Sequence, residues 1–266
     1  MKKLMFVAVL AAGFAAFGDG NGIESANTVG YYESESAFRT GNTMYTPMFA
    51  GVGDAEYSIQ DIKPVGTTVP NGSSSANAIT LQKLTATGGM EGYLYYWMDY
   101  EDEDEEEYEY GWKRPNVFTT ANITFKAGEA FWLKMPNSAN CTLQFNGEVR
   151  KGDIYMLLRQ GNTAVGNPTP VTINVADIRP VGENIPDGSS SAKAITLQKL
   201  TATGGMDGYL YYWMDYDDED EEEYEYGWKR PNVFSPCAIT LAPGEGVWVK
   251  CPNATTSLKF PAAIAE

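Results

Sequence analysis

The chain has no histidine and only three cysteines in 266 residues. The first absence excludes Ser-His-Asp and Cys-His catalysis and every histidine-ligated metal site. An odd cysteine count excludes complete pairing within the chain. Beyond the N-terminal stretch there is no apolar run long enough to cross a bilayer as a helix, so no membrane span is expected. A sustained apolar period of 3.6 residues is also lacking, which argues against a helical fold. Bases are few: 19 Lys and Arg stand against 35 Asp and Glu, for a net charge of −16. Such a chain repels phosphate, so nucleic acid is not an expected partner. The segment GVGDAEYSIQ from Gly51 lacks a third glycine and a following helical pattern, so it is not a dinucleotide loop.

What is there begins with MKKLMFVAVLAAGFAAFGDG. Lys2 and Lys3 precede an apolar stretch from Leu4 to Ala16, and Ala16 and Gly18 are small residues before Asp19. Residues 1–18 therefore read as a secretory signal peptide, too short for a membrane span. The expected location is outside the cytoplasm: secreted, periplasmic or on the cell surface. Removing the leader with its two lysines takes the net charge to −18. Asp99 to Glu109 and Asp215 to Glu225 hold nine acids each. The rest of the mature chain is balanced, so two short segments carry the whole net charge.

Those segments lie in a repeat at an offset of 116 residues. Ala78 to Phe118 matches Ala194 to Phe234 at 39 of 41 positions, differing only at Glu91/Asp207 and Glu101/Asp217. Outside that block the copies diverge: ITFKAGEAFWLKMPN becomes ITLAPGEGVWVKCPN. A weaker counterpart links ANTVGYYESESAFRTGNTMY to QFNGEVRKGDIYMLLRQGNT. The expected organisation is two tandem, homologous domains, 19–145 and 146–266, that pack closely or share a strand.

Alternating apolar residues and Gly, Pro, Asn and Ser punctuation predict short strands over 42–49, 57–62, 79–85, 93–100, 108–113, 122–125, 130–135 and 142–145. The fold class is therefore all-β, with sandwich or barrel-like domains. FKAGEAFW and LAPGEGVW read as tight hairpins, with Pro243-Gly244 in the middle of a type II turn. A hairpin turning there sets Cys237 and Cys251 almost opposite each other. They are the candidate disulfide, with two buried free thiols as the alternative. Ala121 and Met135 stand at the matching positions of the first copy, so such a bond is not essential to the fold. Cys141 reads as a small buried hydrophobe.

The stretch YLYYWMDYEDEDEEEYEYGW, Tyr93 to Trp112, recurs from Tyr209 to Trp228. Glu favours helices, but like charges four residues apart oppose one, and the aromatic flanks favour strands. It reads as a hairpin with an aromatic ladder, a turn near Asp104-Glu105, and Trp97 opposite Trp112. Exposed aromatics there would stack on sugar rings: Tyr95, Trp97, Tyr110, Trp112, Tyr211, Trp213, Tyr226 and Trp228 are the candidate ligand-binding residues, against a reading as plain core packing. Asp102, Asp104, Glu106, Asp218, Asp220 and Glu222 are candidate oxygen ligands for low-affinity calcium. No cofactor is required. The run lacks the spaced acidic pattern and glycine of a built calcium loop. Neighbouring solvated acids do not supply a glycosidase pair either, because such a pair needs two distinct environments. The structural alternative is a solvated tip that resists edge-to-edge aggregation.

Three stretches carry a resemblance: ESANTVGYYE after the leader, LQFNGEVRKG between the copies, and PGEGVWVKCP late in the second. They resemble a loose group of uncharacterised exported bacterial tandem-repeat β proteins, with an SANxVGY-like start and repeat ends like PGxGFWVxxP and FxGEV. The resemblance implies an all-β secreted or surface protein and no activity to transfer. The long acidic tip departs from the group's pattern. The resulting expectation is a non-enzymatic protein with a surface, matrix or binding role. Its partner would be extracellular, with a polysaccharide, bound with or without calcium, as the alternative.

Overall fold

The structure is a computed structural model. It describes residues 28–34, 41–70, 78–102, 105–117, 119–136, 140–186, 192–201, 204–218, 221–232, 235–253 and 255–264; the side chains of 94, 96–110 and 210–226 lie outside the description. The signal-peptide reading also lies outside the described residues.

The chain is all-β. The first half forms β1 (Val29–Glu33), β2 (Gly41–Tyr45), β3 (Tyr57–Ser58), β4 (Lys63–Thr68), β5 (Thr80–Leu84), β6 (Met90–Asp102), β7 (Glu105–Lys113), β8 (Thr124–Phe125), β9 (Phe131–Met135) and β10 (Asn140–Glu148). The second forms β11 (Ile154–Leu157), β12 (Gly161–Gly166), β13 (Ile173–Asn174), β14 (Arg179–Val181), β15 (Ile195–Leu200), β16 (Met206–Asp218), β17 (Glu221–Lys229), β18 (Thr240–Leu241), β19 (Gly246–Cys251) and β20 (Ser257–Phe260). Two 3₁₀ turns, Ile59–Asp61 and Val175–Asp177, occupy matching places.

The strand order β2-β9-β5-β6-β7 recurs as β12-β19-β15-β16-β17. Likewise β1-β10-β4 recurs as β11-β20-β14, and β3-β8 as β13-β18. Among the described residues, no strand belongs to the sheets of both halves. β10 runs to Glu148, past the expected boundary at 145, because Glu148 still pairs with Val29. β4 was not among the expected strands; it holds Pro64, as β14 holds Pro180. Both are edge strands, where a missing N–H is tolerated.

Each core lies between a five-stranded and a three-stranded sheet. In the first, Leu81, Tyr93, Tyr95, Trp112, Phe131 and Leu133 face Leu143 and Phe145 of β10. In the second, Leu197, Tyr209, Trp228, Val247 and Val249 face Met156, Leu258 and Phe260. This alternation follows directly from period-two burial: β9 reads buried, half-buried, buried, exposed, buried.

The two glycine turns form as expected but do not make hairpins. Glu129 N–H donates to Lys126 O and Glu245 N–H to Ala242 O, both at 3.0 Å. Gly128 and Gly244 take φ of 78° and 70° there. Yet β8 pairs with β3, while β9 pairs with β2 and β5, so the chain changes sheet at the turn. The same happens between β18 and β19, which removes the basis for a Cys237–Cys251 bridge. Cys251 instead pairs across to Gly161, and Cys237 N–H donates to Trp228 O at 2.8 Å. All three cysteines are buried and unbonded.

These turns join the halves. Glu129 bridges to Val165 of β12, and Glu245 bridges to Tyr45 of β2. Gly166 N–H donates to Gly128 O at 3.0 Å, and Thr46 N–H donates to Gly244 O at 2.8 Å. The contacts are reciprocal between corresponding residues, so the halves meet about a pseudo-two-fold axis like an isologous dimer. Lys83 grips Glu129 at 3.0 Å and Lys199 grips Glu245 at 2.9 Å, steadying each turn. Met44, Ala130 and Ala164 are buried at the junction beneath Trp132 and Trp248.

Candidate functional site

Two features stand out: the acidic hairpins and the tryptophan pair at the axis. β5 pairs with β6 only from Met90 to Leu94. Beyond Tyr95, β6 and β7 pair only with each other, out to Asp102↔Glu105. The result is a two-stranded ribbon projecting about 23 Å past its sheet, at about 3.3 Å per residue. β16 and β17 repeat it, out to Asp218↔Glu221. The ladder closes one residue earlier than expected. Trp97 is therefore opposite Tyr110, and Trp112 is opposite Tyr95. A register shift of two residues preserves the faces, so the aromatic ladder survives it.

The ladder is graded. Aromatic pairs aromatic near the base. Asp99 pairs Tyr108 and Tyr100 pairs Glu107 midway. At the end acid opposes acid, Glu101↔Glu106 and Asp102↔Glu105, and again Asp217↔Glu222 and Asp218↔Glu221. Like charges directly opposite destabilise a strand pair.

The base is anchored by tryptophan. Trp112 is fully buried, and its indole N–H donates to Ile62 O at 2.8 Å. Trp228 does the same to Ile178 O at 2.7 Å. Burying each ring contributes about 2–3 kcal/mol. Tyr95 meets Trp112 edge-on at 5.3 Å. In the first half Gln60 adds a clamp: its amide donates to Trp112 O at 2.9 Å and Ala121 O at 2.8 Å, and accepts from Trp112 N–H at 3.1 Å. Ala176 stands at that place in the second half.

These anchors correct part of the ligand-binding expectation. Tyr95, Trp112 and Trp228 are core residues, 7%, 0% and 2% exposed, and offer no face to a ligand. The side chains of Trp97, Tyr110, Tyr211, Trp213 and Tyr226 lie outside the described residues. So do those of Asp102, Glu106, Asp218 and Glu222, whose backbones lie in the outer ladder, and Asp104 and Asp220 altogether. Among the described residues, no group of three or more His, Cys, Asp or Glu side chains is arranged to hold a metal.

Burial also sets the chemistry of the nucleophiles. The Cys141 thiol is pushed up to about 11, and those of Cys237 and Cys251 are raised, in each case first by desolvation. Tyr93 is pushed up to about 12 by desolvation and then by Glu91. None of these is an activated nucleophile.

The second feature was missed in the sequence. Trp132 and Trp248 occupy corresponding places on β9 and β19, and their rings meet at 6.0 Å across the axis. Both are half-buried. With Asn42, Gln82, Leu84, Gly88, Met90, Arg159 and Asn162 they line an open groove of about 470 Å³. The available signal was strand phase: Trp132 and Trp248 alternate onto the same face as exposed Lys134 and Lys250.

Comparison with protein-family models, curated proteins and solved structures finds no match. The resemblance to exported repeat proteins thus rests on its motifs. No helix among the described residues is long and apolar enough to cross a membrane.

Proposed function

We propose that this is an exported, non-catalytic binding protein whose duplicated scaffold presents two acidic ribbons to a cationic extracellular partner. The observation that carries it is the ribbon itself: a strand pair that outruns its sheet, is clamped at its base by a buried tryptophan, and sets acid against acid at its end. A ribbon with no more than a core role would not need to project. Acids paired in register repel one another, and cations relieve that repulsion, so the ribbons take up Ca²⁺ loosely and polycations more firmly. Two ribbons on one chain give avidity for a repetitive target. Export follows from the N-terminal sequence, and the mature protein should begin at Asp19.

The test is titration calorimetry of the mature protein with Ca²⁺ and with polylysine. Weak Ca²⁺ binding and tighter polylysine binding, both weakened by salt, are expected. Replacing Glu103–Glu106 and Glu219–Glu222 with Ser and Gly should abolish both. A single, tight, salt-resistant Ca²⁺ site would overturn the reading, and so would polylysine binding that survives the replacements.

A further inference from the structure

The groove at the axis has a composition unlike the rest of the chain. On the outer face of the first five-stranded sheet, register places Met44, Trp132, Gln82 and Gly92 in one cross-strand row. The second sheet repeats it as Ala164, Trp248, Gln198 and Gly208. Flanking rows hold Asn42 with Lys134 and Asn162 with Lys250. Met90 and Met206 are both about two-fifths exposed at the margins. None of these positions is acidic, in a chain with 35 acids.

The polar groups on this face are uncommitted. Among the described residues, the side-chain amides of Asn42, Asn162, Gln82 and Gln198 make no hydrogen bond within the protein. Arg159 is held in place: its Nη1 donates to Thr85 O at 2.9 Å and its Nε donates to Asn162 O. A Cβ added at Gly208 would meet nothing within 4 Å, and one at Gly92 only Gln82 Cγ at 4.0 Å. The glycines thus leave open floor beside each glutamine.

We infer that this groove, continued along the Trp248 row, binds a neutral polysaccharide, with sugar rings seated on Trp132 and Trp248 and hydroxyls bonded to Asn42, Asn162 and Gln82, which line the groove, and to Gln198, which lies beside Trp248 on the adjoining row. A flat apolar ring face beside amide donors and acceptors that have no partner among the described residues is the complement of a pyranose, which offers C–H on its faces and O–H at its rim. A neutral chain is favoured over a uronate or sulfate polymer, because the groups that would touch it, two indole rings and four amides, are uncharged. Strand addition by a peptide is disfavoured here. The edges of β2 and β12 are already bridged by Glu245 and Glu129. The site is independent of the ribbons, which lie at the far margin of each sheet.

The test is tryptophan fluorescence of the mature protein titrated with soluble glucan, xylan and mannan, and with polygalacturonate as the anionic control. A saturable change with at least one neutral polymer is expected, unchanged up to about 0.15 M salt, where ribbon contacts are screened. The quadruple variant N42A/N162A/Q82A/Q198A should bind about tenfold or more weakly, a loss of about 1.4 kcal/mol. Its thermal midpoint should hold, because the four side chains are exposed and unbonded. No saturable change with any neutral polymer would overturn the inference. Equal binding by the variant, or a response confined to polygalacturonate, would do the same. Loss of the ribbon carboxylates must leave this binding intact, so failure here and failure of the ribbon reading are separate results.

Discussion

The two halves share one strand order, but they hold their ribbons and their junction differently. In the first, Gln60 ties the ribbon base to the 3₁₀ turn through three hydrogen bonds, and Ser58 caps that turn with its hydroxyl. In the second, Ala176 replaces Gln60, and Asn174 makes no capping bond. The second half instead has a buried polar knot. Asn167 donates to Val171, Leu241 and Ala242 carbonyls and accepts from Thr169. Pro47 stands at the corresponding place in the first half. The aromatic ladder and its buried tryptophan are common to both. The difference teaches that the ladder is the required part, while the surrounding pins can be redistributed between sites.

The junction differs in tightness too. A Cβ at Gly244 would meet Met48 Cε at 2.7 Å and Thr46 O at 3.0 Å, whereas one at Gly128 would meet Met156 Sδ at 3.3 Å. Both glycines sit at positive φ. Gly244→Val should therefore be the most damaging change, costing about 3 kcal/mol or more in urea unfolding, with Gly128→Val less severe. Equal costs would show that φ strain, and not the neighbour, governs both sites.

Trp112→Phe and Trp228→Phe should each cost about 1–3 kcal/mol, since each strands a buried carbonyl. The two costs should match, because the indole bonds match. Gln60→Ala comes next: losing bonds to three backbone groups should cost about 1–2 kcal/mol and make the first half resemble the second. Amide exchange at Trp112 should then rise; no rise would show that the Gln60 side-chain carbonyl is not what protects that N–H.

The smallest effect is alkaline. Cys141, Cys237, Cys251 and Tyr93 all have folded pKa values raised by desolvation. Raised acid groups favour the folded state while neutral, so their contribution is complete below the unfolded thiol pKa of about 8.5. It is lost progressively above that, toward about 11 for Cys141 and about 12 for Tyr93. A thermal midpoint falling from about pH 8.5 upward is the expected readout. Intact mass should not change on reduction, and thiol reagents should label all three cysteines only after unfolding.

The strands, the repeat and the ribbons were legible because alternation and self-similarity are local properties. Most expected strands recur within a few residues. Misplacement came where a local rule met a tertiary exception. The edge strand β4 was not foreseen, and the glycine turns, read as hairpins, carry the chain from one sheet to another. That second point decided the cysteines. Cys237 and Cys251 are symmetric about Gly244 in sequence but belong to different pairings in space.

By itself the sequence determined the all-β class, the two copies, and the place of the net charge, because these depend only on residue identity and order. Tertiary structure alone decided what covers each aromatic. Trp112 and Trp132 both sit in alternating strands, and strand phase tells only that Trp132 shares a face with Lys134. One is sealed under Ile62 and Tyr95 inside a sandwich. The other lies on the outer face, where the second copy of the same sheet brings Trp248 against it. Burial depends on what the rest of the chain lays over a strand, and no window along the strand contains that information.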